Sequence, residues 1–143
     1  MKFSARALGL AAAGALTLST LSACYQMGDV QDIAACQAFA AAQSSYDSTA
    51  NDAMANPDDK AKQVAWLGSW GIFVPGIDAA AKIPNTPSLK KLLGEYAAAV
   101  NQAGVGASKE TQIAIWNTGM PTKIVSLCNE LAAPIKITDL KVQ

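Results

Sequence analysis

Beyond residue 28, apolar residues recur at steps of three and four, the spacing that places them on one face of an α-helix. The first such segment runs from about residue 28 to 56, with Asp29 and Asp32 in its first turn, where the helix dipole favours acids. Its apolar positions are Val30, Ile33, Cys36, Phe39 or Ala40, Tyr46, Ala50 and Met54. Asn56 is expected to end it, because the residue before a proline avoids helical backbone.

A second helical segment is predicted from Pro57, with two aspartates in its first turn. Its apolar stripe consists of Trp66, Trp70, Phe73 and Ile77, which are spaced by four, three and four residues. Pro75 interrupts this stripe, since a proline inside a helix lacks the backbone donor and clashes with the preceding turn. Either the helix kinks at Pro75 or a second short helix covers residues 77–83.

Two further segments show start and stop signals of the same kind. Thr86 and Pro87 suit the N-cap and the first helical position of a third helix, which Gly104 is expected to end. Its predicted buried residues are Leu89, Leu92, Leu93, Tyr96, Val100 and Ala103. A fourth helix begins at Ser108, is interrupted at residues 117–121 and then resumes.

These segments and the abundance of alanine, the strongest helix former, predict an all-α fold. We expect a four-helix up-down bundle over residues 29–133, with kinked second and fourth helices and one disulfide. Residues 134–143 then alternate apolar residues with lysine, a strand-like pattern that has no partner strand in an all-helical domain. We expect this segment to pack as a short extended tail, and pairing with the sheet edge of another protein is the alternative.

The first 23 residues have a different pattern, which is typical of an export signal. Lys2 and Arg6 precede an apolar run over residues 7–20, which is shorter than the roughly 20 apolar residues that span a bilayer. A basic start, a short apolar run and a small-residue exit indicate a secretory signal peptide. Residues 1–23 are therefore predicted to be removed.

The exit sequence Leu21-Ser22-Ala23-Cys24 resembles the lipobox of bacterial lipoproteins, in which a leucine and two small residues precede a cysteine. The resemblance implies cleavage between Ala23 and Cys24 and acylation of Cys24 by chains such as palmitate. It also implies an extracytoplasmic domain that residues 24–28 anchor to the membrane, because two or more acyl chains hold a protein stably on a bilayer. The alternatives are ordinary signal-peptidase cleavage, which leaves Cys24 as a plain thiol, and a retained transmembrane helix.

The remaining cysteines, Cys36 and Cys128, are an even pair in an oxidising compartment, which predicts a disulfide. In an up-down bundle they lie near the start of the first helix and the end of the fourth, which share one end. The bridge closes a loop of about 92 residues, and the chain-entropy model assigns such a loop roughly 4–5 kcal/mol. A reactive or metal-binding pair is the weaker alternative, because the chain has no Cys-x-x-Cys sequence and no histidine.

Composition excludes several classes of function. The 143 residues include eleven basic and eleven acidic side chains and no histidine, so the commonest general base and zinc ligand is absent. Arg6 is the only arginine, and the processed chain has nine lysines, eleven acids and a net charge of −2. The processed chain therefore has no arginine to bind a phosphate through two hydrogen bonds. It also has no excess of basic residues such as nucleic-acid binders carry. Six acids and no lysine fall within residues 24–59. They indicate either an acidic face for a cationic partner or a divalent ion, or a helix that shows its acids to water.

The candidate chemistry is limited to aromatic residues. A group of four, Trp66, Trp70, Phe73 and Trp116, either lines a site for an apolar ligand or fills the core. A tyrosine can in principle ligate haem, and the candidates are Tyr25, Tyr46 and Tyr96. No metal site, cofactor or catalytic set is predicted.

We therefore expect a lipid-anchored, non-enzymatic protein of the cell envelope that presents a helical surface to a protein partner. The alternative is the binding or sensing of a small apolar ligand, a lipid or an envelope metabolite, near the four aromatic residues. The protein is expected to contact the membrane through the lipid on Cys24 and not to bind nucleic acid.

Overall fold

The computed structural model describes residues 29–131, 133–138 and 140, and over these it is all-helical and contains no strand. Within them five helices follow one another, namely α1 (Val30–Ala55), α2 (Lys60–Ala81), α3 (Pro87–Ala103), α4 (Lys109–Trp116) and α5 (Met120–Glu130). The predicted all-α class is confirmed. The predicted signal peptide, its cleavage site at Ala23 and Cys24, and the anchor over residues 24–28 lie outside the described residues.

Side-chain caps set the starts of α1 and α2. The Asp29 carboxylate accepts a hydrogen bond from the Gln31 amide at 2.8 Å. The Asp59 carboxylate accepts from the amides of Ala61 and Lys62 at 3.0 and 3.2 Å. Because Asp59 caps α2, the helix begins at Lys60, and the prediction of a start at Pro57 is wrong.

Pro75 lies inside α2, and the helix continues on both sides of it. The proline removes one backbone hydrogen bond without ending the helix, so the alternative of a second short helix over residues 77–83 is wrong. The adjacent Gly76 has a separate role, because a Cβ atom there would stand 3.2 Å from the Cβ of Ala42. The missing side chain allows α1 and α2 to approach closely at this point.

The start of α3 is held by a carboxylate from α1. Asp32 is buried, and it accepts hydrogen bonds from the backbone amides of Asn85 and Thr86 at 2.9 and 3.1 Å and from the Thr86 hydroxyl. As predicted, Thr86 is the N-cap and Pro87 opens the helix, but the Thr86 side chain makes no cap within its own helix. The sequence predicts Asp32 only as an acid in the first turn of α1. Its contact with the start of α3 depends on the tertiary fold and is not visible in the local sequence.

The segment predicted as one kinked fourth helix is two helices. Helix α4 ends at Trp116, residues 117–119 separate the two, and α5 begins at Met120. Gly119 adopts the left-handed conformation with a φ of +72°, which residues with a side chain rarely adopt, and Pro121 follows in the first turn of α5. This break is a helix end rather than a kink.

The helices enclose one core, and a disulfide joins the first helix of the chain to the last. Helix α1 packs against α2 and α5, α2 packs against α3, and α3 packs against α4 and α5. The predicted Cys36–Cys128 disulfide is confirmed, with both cysteines fully buried and their Cα atoms 5.8 Å apart. It links the first part of α1 to the last turns of α5.

The predicted apolar faces coincide with the core at most positions. All four members of the α2 stripe are buried, and so are Leu89, Leu93, Tyr96 and Val100 of α3. On α1, Cys36, Phe39, Tyr46 and Ala50 are buried, whereas Val30 is 81 % exposed. Val30 is the first residue of its helix and lies beyond the packed core, so its predicted burial is wrong.

Residues 133–138 and 140 follow α5 without helix or strand. Ala133, Ile135 and Leu140 are nevertheless buried, and the Ile135 amide donates to the Asn129 side chain of α5 at 3.0 Å. Lys136, between the two isoleucines, is exposed. The strand-like alternation of this segment thus corresponds to apolar residues that turn toward the core of the helical domain.

Candidate functional site

Two of the four predicted aromatic site residues, Trp70 and Phe73, pack ring against ring in the core, and a third, Trp66, is buried beside them. Trp66, Trp70 and Phe73 of α2 are each at most 3 % exposed. The Tyr46 ring of α1 stacks on Phe73 with 4.8 Å between centroids, and its centroid lies 5.4 Å from that of Trp70. The centroids of Trp70 and Phe73 are 5.1 Å apart. The ring contacts account for Trp70 and Phe73 as core, and the hydrogen bond from Trp66 Nε1 to the Tyr46 hydroxyl holds Trp66 beside them.

The structure does not bring Trp116 into this group. Trp116 is half-buried at the end of α4, and it takes part in none of the ring contacts found among the described residues. Its Nε1 atom is buried without a hydrogen-bond partner in that part of the chain. Tyr46, which the sequence placed on an apolar helix face and among the haem-ligand candidates, instead belongs to the ring cluster, in which Phe73 contacts Tyr46, Trp70 and Tyr96.

A chain of polar groups crosses the core beside these rings. Trp66 Nε1 donates to the Tyr46 hydroxyl at 3.0 Å, and this hydroxyl donates to Gln112 Oε1 at 2.9 Å. Gln112 Nε2 then donates to the Ala107 carbonyl at 2.8 Å. Burial raises the pKa of Tyr46 to about 12, so its phenol is neutral at physiological pH and acts as a hydrogen-bonding group of the core.

A second polar chain links α1 to α3. The Tyr96 hydroxyl donates to Gln43 Oε1, and Gln43 Nε2 donates to Asp47 Oδ1, both at 2.9 Å. Burial and, next in size, the Asp47 carboxylate raise the pKa of Tyr96. Both tyrosines that are haem-ligand candidates inside the described residues therefore have buried, hydrogen-bonded hydroxyls, and Tyr25 lies outside those residues.

The acids of the first helical segment have structural roles instead of forming one acidic face. Asp32 and Asp47 are buried, Asp29 caps α1, and Asp52 pairs with Lys62 at 2.8 Å. The Asn85 side-chain amide and the Gln31 backbone amide donate hydrogen bonds to the Asp29 carboxylate. These bonds lower the pKa of Asp29. In the part of the chain that the structure describes, no group of three or more histidine, cysteine, aspartate or glutamate side chains is placed to hold a metal ion.

One cleft borders the predicted aromatic group. It has a volume of about 310 Å³ and is lined by Ala53, Met54, Pro57, Gln63, Trp66, Lys109, Glu110 and Ile113. The Lys109 ammonium lies 5.3 Å from the centroid of a Trp66 ring and donates to Gln63 Oε1. A mainly apolar lining with an aromatic wall, one cation and one carboxylate suits a small apolar ligand that carries few polar groups.

Two other depressions are less suited to such a ligand. An open groove of about 670 Å³ lies between α5 and the following segment, and it is lined by Val125, Asn129 and residues 134–137. A depression of about 60 Å³ lies between α1 and α2, around Ser45 and Ser69. Phe73 lines the smaller depression, which is too small for such a ligand, so among these three clefts Trp66 is the predicted ligand residue that borders one of ligand size.

Helix α2 is apolar on its outer side as well as on its buried side. The exposed residues here, which we call the outer α2 face, are Val64, Ala65, Leu67, Gly68, Ile72 and Pro75. Val64 is 69 %, Leu67 is 43 % and Ile72 is 78 % exposed, and no charged residue occurs in the sequence between Lys62 and Asp78. A surface helix ordinarily shows polar residues to water, and the outer α2 face departs from this pattern.

Of the described helices, α2 is the one whose length and composition would suit a membrane span, and one third of its most apolar window is buried. Its inner side belongs to the folded core. The indole nitrogens of Trp66 and Trp70 donate to the Tyr46 hydroxyl and to the Gly104 carbonyl at 3.0 and 2.8 Å. The outer α2 face is therefore a surface of the packed helical domain.

Two glycines of α2 are not required by packing within the domain. A Cβ atom at Gly68 or Gly71 would meet no atom within 4 Å, in contrast to Gly76, which faces Ala42. Both glycines have ordinary helical φ values, because the positive-φ glycines of the described residues are Gly104 and Gly119. A glycine inside a helix lowers the stability of the fold by roughly 0.5–1 kcal/mol relative to alanine. At Gly68 and Gly71 no close contact within the domain requires the missing side chain.

The outer α2 face continues onto an uncharged surface of α1. The exposed residues of α1 between Asp32 and Asp52 include Gln37, Ala41, Ser45 and Ser48. Asp47, the one charged residue of this interval, is buried. The charge-free surface thus covers the middle of both helices.

Comparisons with known proteins assign no family to this chain. No protein-family model matches it, and no curated protein and no solved structure matches it either. The function of the chain is therefore inferred from its residues and their geometry.

Proposed function

We propose that the chain is a lipid-anchored, non-enzymatic protein of the bacterial cell envelope that presents the outer α2 face to a protein partner. The observation that carries this proposal is the exposure of Val64, Leu67 and Ile72 on a helix without charge over residues 63–77. Contiguous exposed apolar surface of this kind marks interaction sites.

The anchor is supported by two features of the chain. The residues before Cys24 resemble a lipobox, and the Cys36–Cys128 disulfide suits a compartment outside the cytoplasm, where such bonds persist. Asp29, the first described residue, follows Cys24 by five positions, which corresponds to a tether of at most about 17 Å. The anchor would therefore hold the helical domain close to the membrane.

We also propose that the helices run up and down, with α4 and α5 together as the fourth element and with a bend in α2 at Pro75. Ala42 lies opposite Gly76, and Asp52 pairs with Lys62, so positions rise along α2 as they fall along α1. This order supports an antiparallel pair. The disulfide between the start of α1 and the end of α5 supports a shared end, as an up-down bundle requires.

The non-enzymatic assignment is supported by the roles of the buried polar groups. Within the described residues, the buried tyrosines and glutamines hydrogen-bond to one another or to backbone. Asp32 accepts three hydrogen bonds at the start of α3. These contacts stabilise the fold and leave the side chains without access to a substrate.

The anchor is tested by Cys24→Ala in the full-length chain, followed by fractionation of bacterial membranes. We expect the variant to lose membrane retention and lipid attachment, because the acylated thiol is absent. Ser22→Ala is the matched control, since it keeps a small residue in the lipobox and should remain at the membrane. Retention and processing of Cys24→Ala like the wild type would overturn the anchor.

The partner surface is tested by a photo-crosslinking residue at position 72 in intact cells, compared with one at Ala98, an exposed alanine of α3. We expect a defined protein adduct from position 72 and none from position 98. The absence of any protein adduct at position 72, or the same adducts from both positions, would overturn the assignment of the outer α2 face.

A second candidate function is supported by the cleft beside Trp66, where Lys109 stands over the ring. Its volume of about 310 Å³ lies at the lower end of the range for small-molecule sites. This function predicts a lipid or metabolite that co-purifies with the protein in native mass spectrometry and is lost in Ile113→Trp, which fills the cleft. Detection of bare protein alone would count against it.

A further inference from the structure

We propose that the partner of the outer α2 face is a second copy of this chain, so that two domains associate with their α2 helices side by side about a two-fold axis. This inference rests on the proposed function, which assigns that face to a protein partner. It adds the identity of the partner and the symmetry of the contact.

The absence of charge favours a copy of the same chain. In a two-fold interface, residues near the axis lie close to their own counterparts, so a charged residue there would meet a like charge. The sequence between Lys62 and Asp78 carries no charge, and α1 beside it exposes none between Asp32 and Asp52. This surface can therefore meet itself without electrostatic repulsion.

The shape of the face suits an opposing helix. Gly68 lies one helical turn from both Val64 and Ile72, so a depression without a side chain separates two projecting aliphatic residues. Helices pack by inserting the side chains of one into such depressions of the other. A partner helix that approaches Gly68 and Gly71 also explains glycines that packing within one domain does not require.

A membrane surface matches this face less well. Helices that lie on a bilayer combine aromatic residues with lysine or arginine along their polar side. The two tryptophans of α2 are buried, and no lysine or arginine occurs over residues 63–77. The exposed part of α1 beside it contributes alanine, serine and glutamine instead.

The proposed anchor is compatible with this arrangement. Two copies tethered to one membrane by lipids on Cys24 have their bundles on the same side. A two-fold axis that passes beside the outer α2 face then brings residue 72 of one copy near residue 72 of the other. Confinement to one surface also raises the local concentration of copies, which favours a contact between equal faces.

The test is disulfide trapping in the full-length protein at its native location. Ile72→Cys introduces a thiol whose nearest equivalent is in the other copy, while Cys36 and Cys128 are already paired. We expect a disulfide-linked dimer of twice the chain mass for Ile72→Cys and none for the matched control Ala98→Cys. Dimers from both variants alike, or from neither, would overturn the inference.

A second variant separates association from folding. Gly68→Gln replaces a glycine by a better helix former in open space, so the domain should melt at a temperature no lower than the wild type. In sedimentation of the detergent-solubilised protein, the same variant should weaken self-association by at least about tenfold, because its side chain fills the depression. Unchanged self-association, or a monomeric wild type, would overturn the inference.

The photo-crosslinking of position 72 separates this inference from the proposed function. An adduct with a different protein, without a homodimer, would support a protein partner at the outer α2 face. It would overturn the inference that this partner is a second copy of the chain. Adducts with lipid alone, or no adduct, would overturn both.

Discussion

Asp32 of α1 and Thr86 of α3 are joined by two hydrogen bonds, from the Thr86 amide at 3.1 Å and from the Thr86 hydroxyl, although 54 positions separate them in the chain. The buried Asp32 carboxylate thereby ties the residues that lead into α3 to the first turn of α1. The Cys36–Cys128 disulfide joins α1 to α5 one helical turn further along α1. Two links of different chemistry therefore hold the start of α1 to other helices.

Asp32→Ala should lower the free energy of unfolding by about 2–4 kcal/mol, because it leaves the donors of Asn85 and Thr86 without their charged acceptor. Urea unfolding followed by circular dichroism measures this change. Asp52→Ala is the control, since the Asp52–Lys62 pair is exposed and should contribute less than about 1 kcal/mol. Equal losses in the two variants would contradict the role of Asp32 in holding the start of α3 to α1.

Removal of the disulfide by Cys36→Ala and Cys128→Ala together should lower the free energy of unfolding by roughly 4–5 kcal/mol through the entropy of a loop of about 92 residues. Because both cysteines are fully buried, a reductant should reach the wild-type bridge only after unfolding. Thiol labelling measures this accessibility. Free thiols at Cys36 and Cys128 in the folded protein from the envelope would contradict the bridge.

Stability should decline as the pH rises from 10 to 12. A tyrosine in the unfolded chain ionises near pH 10, whereas burial raises the pKa of Tyr46 in the folded domain to about 12. Between these pH values the unfolded state releases a proton that the folded state keeps. The contribution of neutral Tyr46 to the free energy of unfolding is therefore complete below pH 10 and is lost toward pH 12.

Tyr46→Phe checks this assignment. The variant should be less stable at neutral pH, since the hydrogen bonds with Trp66 and Gln112 are lost, but its stability should decline less steeply above pH 10. Urea midpoints at several pH values give the two slopes. A slope equal to that of the wild type would show that another group governs the alkaline range.

Gly119→Ala should lower the free energy of unfolding by about 1–2 kcal/mol, because a Cβ atom is strained at a φ of +72°. Gly106→Ala is the matched control, since Gly106 has open space around it and is not among the positive-φ glycines of the described residues. Thermal melts compare the two. If the Gly119→Ala domain melts at the same temperature as the control, the claim that the turn between α4 and α5 requires glycine is wrong.

Local signals in the sequence predicted much of the fold. Thr86 and Pro87 open α3 and Gly104 ends it, because capping and proline preferences act within a few residues. The stripe from Trp66 to Ile77 is buried as its spacing predicts, and Cys36 pairs with Cys128.

Other features depend on contacts between distant segments and could not be predicted. Gln43 and Gln112 are buried because tyrosines of other helices bond to them, and nothing in their local sequence indicates this. Pro75 has the same chemistry as a helix-ending proline, yet packing on both sides keeps α2 continuous. The exposure of the outer α2 face likewise depends on which side of the helix the core covers.

Lipid attachment at Cys24 is the central claim for function, and mass spectrometry of protein isolated from bacterial membranes tests it most directly. We predict an N-terminal peptide that begins at Cys24 and carries a diacylglyceryl group, in a sample in which Cys36 and Cys128 are linked. A chain that begins at Met1, or an N-terminal peptide with an unmodified Cys24, would contradict this claim.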